Sequence, residues 1–168
     1  MFAVDVLGKQ VTIKRVYLTS VASTLIFALL YGIIEHTLLT SSLGVSILVY
    51  PLNIHLFGQL YFYHILMLAL AVLISFNQFL DELFFGFSST IKKQAILWGS
   101  GNILNFVWLE DMFYFASFGE WPKDVMTPLN LSFYGVVWWY PLLLVSALAL
   151  YGLAIRSMRR TKAERWNI

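Results

Sequence analysis

Two adjacent carboxylates, Glu110 and Asp111, stand inside Trp108-Leu109-Glu110-Asp111-Met112-Phe113-Tyr114-Phe115, a run otherwise built from apolar and aromatic residues. A charged group near the centre of a membrane-crossing helix costs roughly 2.5–3.5 kcal/mol on insertion scales, so the pair must be neutralised, hydrated or coordinated. Partners of suitable chemistry are few: Glu35-His36, His55 and His64. Imidazole and carboxylate together suit Zn, Fe, Mn, Ni or Cu, and metal sites in helical bundles are built from such inward-facing side chains. The candidate ligands are therefore Glu35, His36, His64, Glu110 and Asp111, with His55, Asn102 and Asn105 as secondary polar candidates. Neighbours on a helix point about 100° apart. Glu110 and Asp111 thus cannot face one point together, and one of them is expected to reach a supporting partner or a neighbouring helix.

Other chemistries are excluded by what the sequence lacks. With no cysteine there is no disulfide, thiolate zinc site, cysteine-ligated iron–sulfur cluster or cysteine nucleophile. Glu35-His36 is not the Glu-x-x-His of di-iron bundles, and no His-Glu-x-x-His zinc signature occurs. No Gly-rich phosphate loop is present, so no nucleotide cofactor is expected. Lys and Arg are not interleaved along an exposed face, which argues against nucleic acid as a partner.

The elements that must position these groups follow from composition. Of 168 residues, 60% are hydrophobic and 17% aromatic, and only 12% are charged. A soluble domain carries about 25% charged residues. The reading is an all-α integral membrane protein folded as one domain over 1–168, with four transmembrane helices at about 16–39, 54–76, 95–118 and 136–155. Residues 1–15 read as a segment lying on the membrane surface. The apolar stretch after Lys14-Arg15 is too long for a signal core of roughly 7–15 residues, and so is read as a retained helix. Pro141 either opens the last helix or kinks it. Connections of this length favour an antiparallel four-helix bundle. Ten of the eleven Lys and Arg fall on one side of such a topology, with Lys123 alone opposite. The positive-inside rule then puts both termini in the cytoplasm, in the cell membrane.

Depth follows from a rise of ~1.5 Å per residue. The three histidines, with Glu35, Glu110, Asp111, Glu120 and Asp124, fall in the outer half or beyond. Asn77, Gln78, Asn102 and Asn105 supply the inner half with amides. This clustering predicts an outer-half carboxylate/histidine site that binds a divalent transition metal, and as an enzyme would use it to activate water. A proton or ion relay through Glu35, His64, Glu110 and Asp111, continued inward by the four amides, is the second expectation. The third is a subunit of a larger membrane complex or a homo-oligomer, with membrane lipid as the common partner. The plain structural alternative has the carboxylates accepting hydrogen bonds from Asn102, Asn105, Tyr114 or Tyr140.

Overall fold

Long apolar stretches without interior proline form four long helices in the computed structural model, which describes residues 2–40, 62–85, 88–121, 132–133 and 136–166, with side chains for 15–37, 63–80, 83–85, 88–121 and 137–160. They are α1 (Phe2–Thr40), α2 (Phe62–Phe76), α4 (Ser89–Ser117) and α5 (Trp139–Trp166). A 3-10 turn at Asn77–Phe79 and the short α3 (Leu80–Phe84) lead from α2 towards α4. Before α5, β1 (Ser132–Phe133) and β2 (Val136–Val137) pair antiparallel, with Ser132 opposite Val137.

Several boundaries differ from the sequence expectation for local reasons. The surface segment expected over 1–15 is instead continuous with α1, because nothing in it breaks a helix. Residues 54–61 of the second expected span lie outside the described residues. The last helix begins at Trp139, since Val136 and Val137 belong to the hairpin. Pro141 therefore falls in the first turn of α5, where its missing N–H breaks no helical bond. At the start of α4, Ser88 accepts a hydrogen bond from the Ile91 amide at 3.4 Å. That helix ends on Gly119 at φ +68°, with Glu120 N–H on the Phe115 carbonyl and Gly119 N–H on that of Ala116. Glycine carries this left-handed turn without a Cβ penalty.

Helix α4 is the hub: α1 and α5 make the most extensive contacts with it, and α2 packs against both α1 and α4. Helices consecutive in the chain run antiparallel, as the Asp111–Tyr140 and Gln94–Ser157 bonds between α4 and α5 require. The pair α1 and α4, however, is parallel and in direct contact. Tyr17 meets Trp98, Ser20 meets Asn102, Phe27 stacks on Phe106 and His36 meets Phe118 in the same order along both. The cause lies in α1, where Ser20, Thr24, Ala28 and Gly32 recur every four residues and are all buried. Small residues at that spacing let two backbones approach closely. At Gly32 the approach is close: a Cβ there would stand 2.7 Å from the Glu110 carbonyl oxygen and 2.8 Å from the Tyr114 amide nitrogen. Large residues of α4, including Trp98 and Phe106, fill the space on either side.

Outward faces are apolar. On α1, Leu18, Ile26, Leu30 and Ile34 are exposed, on α2 Ile65, Leu68 and Leu73, and on α5 Leu142, Val145 and Leu148. Two helical stretches, Arg15–Thr37 and Trp139–Arg160, are long and apolar enough to cross a membrane, and each leaves most of its apolar window exposed.

Candidate functional site

Because α1 and α4 are in register near Gly32, Glu35 and Glu110 are brought to the same level. Glu110 is 7% exposed. The Oε1 atom of Glu110 is buried without a hydrogen-bond partner. From α2, the Tyr63 hydroxyl donates to Glu35 Oε1 at 2.5 Å, and His64 Nε2 lies 4.0 Å from the same oxygen. The first is a short charge-assisted bond; the second is ion-pair distance rather than a hydrogen bond. Tyr63 and His64 stack with ring centroids 4.1 Å apart. Below them the Tyr31 hydroxyl donates to the Tyr63 carbonyl at 3.4 Å, fixing α1 to the start of α2.

Asp111 faces the other way, as the 100° between neighbours requires. It accepts a hydrogen bond from the Tyr140 hydroxyl in the first turn of α5. His36 is also turned from Glu35 and lies against Phe118 and Tyr114 of α4, at centroid distances of 3.7 and 6.1 Å. Of the five expected ligands the fold thus gathers Glu35, His64 and Glu110, and sends Asp111 and His36 into separate contacts. Among the described residues no group of three His, Asp or Glu is close enough to hold a metal ion. His55 lies outside the described residues.

The amides divide in the same way. Asn102 and Asn105 enter one directed chain of hydrogen bonds beneath the carboxyls. Trp108 donates to Asn105, Asn105 to Tyr151, Tyr151 to Asn102, and Asn102 to Ser20 and to the Ser75 carbonyl, at 2.6–3.3 Å. Asn77 and Gln78 are exposed in the 3-10 turn, so they do not extend a polar path through the interior. Between the carboxyls and the amide chain stands Phe106, fully buried against Ala28, Phe27 and Tyr31.

Tyr63, whose hydroxyl donates to Glu35, is the member of this cluster that sequence reasoning passes over. Its signal was adjacency to His64, masked by a Tyr61-Phe62-Tyr63 run that reads as an aromatic belt. What this fold and site define is an all-helical protein in which a carboxyl pair lies between two parallel helices. Comparison with protein-family models, with curated proteins and with solved structures gives no match.

Proposed function

We propose that the chain is a four-span membrane protein, its termini cytoplasmic, whose Glu35–Glu110 pair takes up and releases a proton from the outer side. The membrane part rests on the exposed aliphatic faces of α1, α2 and α5, since contiguous exposed apolar surface on this scale marks contact with lipid or protein. Orientation rests on the ten-to-one distribution of Lys and Arg. The proton reading is carried by one observation: Glu110 is a buried carboxyl whose Oε1 has no hydrogen-bond partner, at the level of Glu35 across the α1–α4 contact. An ionised carboxylate has no donor of its own and is costly to bury without one, so such a group suits the uptake of a proton.

The neighbouring groups fit the roles of a relay. His64 is the most accessible member, with its side chain 26% exposed. As imidazolium it can pass its proton to the Glu35 carboxylate directly or through one water. The Tyr63 hydroxyl holds Oε1 of Glu35 in place. Phe106 then separates this outer pair from the Asn102 chain, so inward passage requires its ring to swing aside.

Reconstituted vesicles with an internal pH dye test this reading. A potential-driven proton flux is expected from the wild type and is abolished in Glu110→Gln, which keeps size and burial but cannot cycle a proton. Phe106→Ala should raise the flux severalfold by opening the barrier between the two polar layers. Wild-type vesicles that are as tight as protein-free ones would end the relay reading. Metal binding is the second reading, favoured by His64 standing 4.0 Å from Oε1 of Glu35. Elemental analysis of wild type beside Glu110→Gln decides it: near-stoichiometric metal lost in the variant would put metal first.

A further inference from the structure

At the end of the molecule opposite the carboxyl pair, α4 and α5 diverge around a groove of about 280 Å³, lined by Lys93, Leu97, Leu153, Arg156, Ser157 and Arg160. The lining follows from helical spacing. Lys93 and Leu97 are one turn apart on α4, and Leu153, Arg156, Ser157 and Arg160 form one stripe on α5. Gln94 closes the floor by donating to Ser157 at 3.3 Å. Three cations therefore ring a concave site over two leucines. Among the described residues the one ion pair is His64 with Glu35, so no carboxylate there engages Lys93, Arg156 or Arg160.

We infer that this groove binds an anionic phospholipid, with its phosphate between Lys93, Arg156 and Arg160 and an acyl chain descending over Leu97 and Leu153. This rests on the membrane reading above. Charge complementarity selects an anion, because three like charges drawn together with no counter-charge among the described residues repel one another. The apolar part selects lipid over free phosphate. Leu153 is half exposed at the groove, and a small ion would leave it uncovered. Basic pockets between helices at the cytoplasmic end of a membrane protein hold anionic head groups in this way.

The test uses the full chain in detergent, titrated by native mass spectrometry with phosphatidylglycerol or with phosphatidylcholine of the same acyl chains. Phosphatidylglycerol is expected to bind at least about tenfold more tightly, with roughly a fivefold loss per cation removed across Lys93→Gln, Arg156→Gln and Arg160→Gln. Arg159→Gln removes the same charge from α5 outside the groove and should retain the preference. Circular dichroism checks that each variant keeps its helices, which these exposed side chains do not hold together. Equal binding of the two lipids overturns the site, as does an equal loss in Arg159→Gln. Displacement of phosphatidylglycerol by equimolar inorganic phosphate overturns the lipid assignment. Alkaline extraction separates the two failures. Release of the protein from membranes defeats the membrane reading and this proposal with it, whereas a retained protein without lipid preference defeats this proposal alone.

Discussion

Gly32→Leu is expected to separate α1 from α4 and to lower stability by about 3 kcal/mol, at the upper end of the ordinary range for overpacking. The reason is the kind of atom a new side chain would meet. A Cβ at position 32 comes to 2.7 Å from the Glu110 carbonyl oxygen and 2.8 Å from the Tyr114 amide nitrogen, and backbone of a helix cannot rotate out of the way. Relief requires moving a whole helix, which also withdraws Glu35, three residues along α1, from Glu110. Loss of stability and loss of flux should therefore appear together in this variant, whereas Glu110→Gln should lose flux with its fold intact. Gly152→Ala on α5 is the matched control. No atom lies within 4 Å of its Cβ position, and replacing a helical glycine there should be neutral or stabilising by up to about 1 kcal/mol. Denaturant titration in detergent reads both variants. A Gly32→Leu protein that unfolds with the wild type would mean that α1 and α4 do not meet at this point.

That glycine also marks what the sequence made legible. The helices could be read from apolar length and from turn residues, since those signals are local. The orientation of Glu110 and Asp111 towards different neighbours followed from helical geometry, and Tyr140 was among the partners expected for them. Which helix each would face was not legible. It depends on α1 and α4 packing side by side in parallel, a long-range fact. A signal for that packing does exist in Ser20, Thr24, Ala28 and Gly32, spaced by four, but these residues carry no charge and drew no attention beside the carboxylates. His36 was grouped with Glu35 because the two are adjacent, although adjacency on a helix means divergence; its ring lies on Phe118 instead. Asn77 and Gln78 were placed in the inner path by depth alone. The 3-10 turn after α2 carries them to the surface, and depth says nothing about direction.

Asn102→Leu is the second large effect, and it separates a structural polar layer from a functional one. Asn102 is fully buried and joins all four long helices at one level. It lies on α4, donates to Ser20 of α1 and to the Ser75 carbonyl of α2, and accepts from Tyr151 of α5. Leucine keeps the branched shape, is larger and suits an apolar surrounding, so the cost is not a cavity. It comes from Tyr151 losing its acceptor and from the Ser20 hydroxyl and Ser75 carbonyl losing a donor in a site closed to water. Each buried group left without a partner costs about 1–3 kcal/mol, and the serine hydroxyl can still turn to the Ser75 carbonyl, 3.5 Å away. A net loss of about 2–4 kcal/mol follows. Replacing Asn105 instead removes one donor to Tyr151 and one acceptor for Trp108 in a half-buried setting, and should cost less. Because inward passage from the carboxyl pair runs past Phe106 into this amide chain, proton flux should also fall under conditions that keep Asn102→Leu folded. Flux unchanged in a folded Asn102→Leu protein would instead make the layer structural alone and take the inward path elsewhere.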